Sequence, residues 1–183
     1  MSSRELATGE WAVLALMVVE PSHGWTLVRA LEPEGEVGRV WSLPRPLVYR
    51  ALEVLRTRAL VQDVGTVASV SGPRRTIVEP TPAGARALRQ WLTEPVAHVR
   101  DLRSLLLLKL YFCERLGIDP LRLLDAQRTI VTGIAAAQAD QLEAASGFAR
   151  VLALWRCEST EAALRFIDGA LDLYAVAPSP SGR

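Results

Sequence analysis

Arg45, Leu47, Tyr49, Arg50 and Arg56 crowd the stretch WSLPRPLVYRALEVLRTRALV, Trp41 to Val61, and Arg74 and Arg75 follow in SGPRR. Guanidinium groups are permanently charged planar donors that match phosphate oxygens and the acceptor edge of guanine. A tyrosine hydroxyl adds a neutral donor suited to a phosphate. These residue types grip a polyanion; they do not break bonds. The usual catalytic groupings are missing from the chain. His23 and His98 are its two histidines and Cys113 and Cys157 its two cysteines, with no close ligand spacing among them. No nucleophile–base grouping, phosphate loop or paired catalytic carboxylates can be picked out, so the expectation is no catalysis, no metal and no cofactor.

Charge placement supports the polyanion reading. The whole chain of 183 residues carries a formal net charge of only +1, which excludes a globally basic binder. From Gly38 to Pro95, however, nine arginines face four acids, a local balance of +5. From Val96 to Arg183 acids and bases balance at ten each. Positive charge therefore gathers on the segment that holds the arginine–tyrosine stretch, as phosphate contact requires.

The elements that must position these residues follow from period and punctuation. Thr8 is expected to cap a helix through Trp11, Leu14, Ala15, Val18 and Val19 that ends at Pro21. Ser22 is expected to cap a second, through Trp25, Leu27, Val28 and Leu31, which breaks down between Pro33 and Gly38. Pro46 suits the first turn of a third helix, with Leu47, Ala51, Leu52 and Leu55 as its buried stripe. The period then changes. Val61–Val70 and Thr76–Pro80 read as two strands around a turn at Ser71–Arg75. Thr81 and Pro82 open a fourth helix with Leu88, Trp91 and Leu92 inward. The remainder is helical: Asp101–Leu116 stopping at Gly117, a long helix after Asp119-Pro120, a break at Ser146-Gly147, and a last helix that Ser159-Thr160 kinks or restarts. APSPSGR closes the chain as a loose tail.

Three helices, a hairpin and a fourth helix describe a winged helix-turn-helix, and that order makes the third helix the one that enters a DNA major groove. The expected fold is mainly α: an N-terminal winged helix-turn-helix domain over 1–95, a C-terminal α-helical dimerisation and effector domain over 96–176, and a flexible tail over 177–183. No apolar run reaches the roughly 18 residues of a membrane span, and Trp11–Val19 lacks the features of a signal peptide, so a cytoplasmic protein is expected.

Four motifs resemble the phenolic-acid-decarboxylase regulator (PadR) family of bacterial transcription factors. PSHGWTL, Pro21 to Leu27, is similar to P-x-H-G-Y-x-L, with Trp25 in the tyrosine place. LVYRALEVLRTRALV, Leu47 to Val61, resembles T-L-Y-x-A-L-x-R-L-E-x-x-G-L-V. GPRRTIVEPTPAG, Gly72 to Gly84, resembles the wing and its exit, G-P-x-R-K-x-Y-x-L-T-x-x-G. RSLLLLKLYF, Arg103 to Phe112, is similar to the R-x-x-x-L-L-K-L-x-F that opens the family's dimerisation domain. The departures are Pro46 and Leu47 for a glycine and threonine, Ala59 for a glycine, Thr76 for a lysine, Val78 for a tyrosine and Pro80 for a leucine. Losing a hydroxyl and a lysine should weaken phosphate binding or alter operator preference.

The resemblance implies DNA contacts from Tyr49 and its neighbours and from Arg75; the charge pattern adds Arg45, Arg50 and Arg74, with Leu47 and Arg56 on the same helix. It also implies phenolic or drug-like effectors for some members. The expected protein is thus a homodimeric regulator, a repressor released by a small aromatic or otherwise apolar effector, acting on double-stranded DNA. Two long helices with broad apolar faces cannot bury themselves on a small neighbour alone, and a second copy is the economical cover, with intramolecular packing the alternative. The dimer would set its recognition helices about 34 Å apart on a near-palindromic operator. Trp11, Trp41 and Trp91 read as core. Trp155, near Phe148, reads more simply as core than as the wall of an aromatic ligand pocket. The alternative class is an interaction adaptor that uses winged helix and helical tail on proteins, without DNA.

Overall fold

The computed structural model describes residues 5–69 and 72–176, with backbone only at 67–69 and 72–75. The expected tail at 177–183 lies outside the described residues. The chain divides into two compact units, 1–91 and 92–183.

In the first unit, α1 (Thr8–Val19) is buried at every position from Ala12 to Met17. A helix apolar all round belongs at the centre of a core. Its cap differs from expectation. Thr8 is already helical and Ala7 is the cap residue, so the terminus is held from inside by Glu10, whose Oε2 accepts from the Ala7 N–H at 2.8 Å. Trp11 stacks on Trp91 at 5.1 Å between ring centres. Next, α2 (Gly24–Leu31) is capped by His23 rather than Ser22: its Nδ1 accepts from the Thr26 N–H at 3.2 Å. Ser22 does something else. Its backbone exchanges two hydrogen bonds with Val78, at 3.1 and 2.9 Å, and so adds a one-residue third strand to the hairpin.

α3 (Arg45–Thr57) takes Pro44 as its cap residue and Pro46 as its second helical residue. Its buried stripe is Val48, Ala51, Leu52 and Leu55, and Leu47 is 44% exposed, contrary to the expected stripe. A Schellman close follows, with the Leu60 N–H on the Leu55 carbonyl and the Ala59 N–H on the Arg56 carbonyl, both at 2.9 Å. β1 (Val61–Ser69) and β2 (Gly72–Pro80) pair antiparallel, with irregularities between Asp63 and Gly65 and between Val67 and Ser69. The second strand therefore begins at Gly72, and residues 72–75 belong to it rather than to the turn expected over Ser71–Arg75. Thr81 caps α4 (Pro82–Thr93) as expected: its Oγ1 accepts from the Gly84 N–H at 3.1 Å and donates to the Ala59 carbonyl at 2.8 Å. A Cβ on Gly84 would stand 2.0 Å from the Leu60 carbonyl oxygen, so only glycine lets α4 start this close to the end of α3.

In the second unit, α5 (Val99–Asp101) runs through a π-turn at Leu102–Leu106 into α6 (Leu107–Leu116), which stops at left-handed Gly117. Asp119 Oδ1 accepts from the Leu121 N–H at 3.0 Å where α7 (Leu121–Ala144) begins. α8 (Gly147–Val176) runs antiparallel beside α7 as one unbroken helix. The kink expected at Ser159-Thr160 is absent: Thr160 is buried and donates to Gln138 Oε1 of α7 at 2.7 Å, and Arg128 meets Asp168 at 2.8 Å. The core gathers Val96, Leu102, Leu106, Leu110, Leu124, Val131 and Ile167. Buried Gln127 spans both backbone groups of Val96. Among the described residues, no helix is long and apolar enough to cross a membrane.

Candidate nucleic-acid interface

With Val48, Ala51, Leu52 and Leu55 turned into the core, geometry forces Arg45, Leu47, Tyr49 and Arg50 onto the opposite, exposed side of α3. The Leu47 and Val48 N–H groups both go to the Pro44 carbonyl, at 2.9 and 3.2 Å, and Pro46 has none. Only the Arg45 amide of the first turn is then left, among the described residues, for an outside acceptor. A helix N-terminus normally draws phosphate through its free amides. At this terminus any such attraction would fall to side-chain cations rather than to free amides.

The side chains are arranged for it. The Arg45 guanidinium lies 5.8 Å from the centre of the Tyr49 ring, a cation–π contact one helical turn apart. Beneath the ring lies Gly24, the first residue of α2. Among the described residues, no carboxylate lies within ion-pair distance of Arg45 or Arg50. Arg56 is different. Its guanidinium is taken by Glu53 at 2.7 Å and Asp63 at 2.9 Å, so it clamps α3 to β1 and its charge is spent within the unit. Those two carboxylates hold its already high pKa up against partial burial. Arg74 and Arg75 lie on the β2 backbone, with Arg75 opposite Val67; their side chains lie outside the described residues. Sequence reasoning missed Gly24 and the Arg56 clamp. The glycine next to His23 in PSHGWTL was the available signal for the first.

The helical unit carries a second candidate site, a cavity of about 950 Å³ walled by the start of α5, the π-turn, α7 and α8. Trp155, 71% exposed, lines it and is not core. Phe148, 81% exposed, does not line it. Arg100, Arg103 and Arg156 are among its walls, and no acidic residue is. His23 caps α2, and His98 is exposed on the cavity wall. Cys113 is buried, and burial pushes its thiol up to about 11 against the opposing pull of Lys109. No group of three or more metal-ligating side chains occurs among the described residues.

These features define a winged helix-turn-helix protein with a C-terminal helical unit. Several solved structures align with it over most of its length. Bacillus subtilis PadR in complex with operator DNA is 17% identical, with 91% of this chain and 99% of that chain covered and a TM-score of 0.48. The same protein in complex with p-coumaric acid gives 16%, 91%, 98% and 0.42. A PadR-like transcriptional regulator from Bacillus cereus gives 16%, 95%, 99% and 0.42. No family model and no curated protein matches the chain. The matched structures are transcriptional regulators of the family that the motifs resemble.

Proposed function

We propose that this chain is a homodimeric, sequence-specific DNA-binding transcriptional regulator of the PadR type, a repressor relieved by a small aromatic or apolar effector. Residues 1–95 are the DNA-binding part and 96–176 the dimerisation and effector part. The observation that carries the reading is the outer face of α3, where Arg45, Leu47, Tyr49 and Arg50 stand exposed on a helix whose other side is locked in the core. Arg45 and Arg50 suit guanine edges or phosphates, Leu47 a thymine methyl, and Tyr49 a phosphate oxygen. Arg74 and Arg75 on β2 are the further candidates for phosphate contact, while Arg56 acts as the clamp that orients the helix.

The homodimer is supported by α8, which leaves Phe148, Val151, Trp155, Leu173 and Val176 each more than 60% exposed. So much apolar surface on one helix marks an interface, and a second copy supplies the matching one. Two copies present two recognition helices, hence a near-palindromic operator. The cavity beside Trp155 is large enough for a small ligand, and its three arginines without a facing acid favour an effector with an anionic end.

Fluorescence anisotropy with labelled double-stranded fragments from upstream of the chain's own gene tests the reading. The expected result is binding that falls steeply with salt and is weakened at least about tenfold by Arg50→Ala with Tyr49→Phe. Unchanged affinity in that variant removes α3 as the reading element. Salt-independent capture of a protein with no DNA retention would favour the adaptor.

A further inference from the structure

Gly24 opens α2 with no need for glycine in its backbone, since left-handed φ values occur at Ala59, Gly117 and Gly147 and not there. Glycine in a helix costs up to about 1 kcal/mol relative to alanine, less at a first position such as this. What replaces that loss is visible on the neighbouring helix. A Cβ at Gly24 would stand 2.7 Å from Tyr49 Cε1, 3.2 Å from its Cζ and 3.3 Å from its hydroxyl oxygen. The Tyr49 ring therefore lies directly on the Gly24 backbone, while the Arg45 guanidinium sits 5.8 Å from the ring centre. Tyr49 remains 40% exposed.

We infer that Gly24 is a positioning residue for DNA recognition, although it presents no side chain to a ligand. Its bare backbone is the seat of the Tyr49 ring, and the seated ring is the platform for Arg45. The three act as one unit: remove the seat and the phenol swings out, taking the guanidinium's platform with it. A flat aromatic ring held at its edge and hydroxyl has one place to put its donor, which is what fixed register on a phosphate requires. This inference rests on the DNA-binding reading and adds to it a residue on a different helix.

Gly24→Ala separates this role from a structural one. The atoms in the way belong to the far end of a side chain, so the fold survives by moving Tyr49, and α2 itself gains helix propensity. Affinity of the full chain for the labelled upstream fragments is measured for wild type, Gly24→Ala, Tyr49→Ala and the double variant. Gly24→Ala should weaken binding about tenfold with its melting temperature unchanged or raised, and should add nothing once Tyr49 is gone. Full affinity in Gly24→Ala, or a further tenfold loss in the Tyr49→Ala background, overturns the inference while leaving the regulator reading intact. A readout independent of DNA is the NMR shift of the Gly24 Hα protons, which the ring current should displace in wild type and release in Tyr49→Leu. Equal shifts in both overturn the seat, whatever the chain binds. Failure of the wild type to bind any fragment, with the shift present, sinks the regulator reading instead.

Discussion

Gln127 offers the sharpest test of what holds the helical unit together. Its side chain is 0% exposed, and its amide reproduces the pairing of one strand residue with another: the Val96 N–H donates to Oε1 at 2.6 Å and Nε2 donates to the Val96 carbonyl at 2.8 Å. Val96 is itself buried at 5% exposure, so water is a poor substitute partner for either group. Gln127→Leu keeps the volume and removes both bonds. Each orphaned buried backbone group costs about 1–3 kcal/mol, and leucine recovers about 1 kcal/mol through apolar burial, so the net loss for the two groups is about 1–5 kcal/mol. Urea unfolding at fixed protein concentration should then show a midpoint lower by about 1 M with an unchanged slope. A midpoint within error of wild type would refute the reasoning, because it would mean that Val96 had found other partners at no cost.

Two further outcomes follow from backbone strain and from burial. Ala59 occupies a left-handed position at φ 53° that closes α3, where a Cβ is disfavoured by about 1–2 kcal/mol. Ala59→Gly should therefore raise stability by about 0.5–1 kcal/mol, after the unfolded-state entropy of glycine is subtracted, and the melting temperature by about 1–4 °C; a lower melting temperature contradicts this. The Cys113 thiol is pushed by burial from 9.0 to about 11. Its raised value means that the contribution of the neutral thiol is fully present below pH 9 and is lost as pH rises towards 11. Cys113→Ala should flatten the alkaline side of the stability–pH curve over that window, and an unaltered slope counts against it.

The legible parts of this fold were those where one local rule acted alone. The change from helical period to Val- and Thr-rich runs after Leu60 located the hairpin, and Thr81 with Pro82 announced α4. Errors arose where two rules competed for neighbouring residues. Val48 stands in the i, i+3, i+4, i+7 series with Ala51, Leu52 and Leu55, a cleaner stripe than one begun at Leu47, but Pro46 drew the helix start one residue late. The Ser22–Val78 bridge involves one residue a side and has no periodicity to detect. The π-turn at Leu102–Leu106 was hidden because that run is apolar at nearly every position, so a slipped register leaves the pattern unchanged. Thr160 read as a kink because its partner, Gln138, lies on another helix.

The candidate site shows the same division and explains the two prolines that stiffen its approach. Charge could be read residue by residue, so Arg45 and Arg50 stood out as candidates; what each charge is already bonded to could not. Arg56 looked equal to Arg50 in sequence, yet Asp63, seven residues on and across the turn into β1, consumes it. Pro44 and Pro46 hold α3's first turn rigid while leaving few free amides there, the reverse of a phosphate-binding helix end. Rigidity without amides is useful only if the side chains of that turn do the gripping. The arrangement of Arg45 on Tyr49 on Gly24 is what such a turn needs. If α3 is the recognition helix, it trades backbone donors for fixed side-chain donors that single substitutions can alter, so discrimination between operators should track residues 45–50 far more than the hairpin.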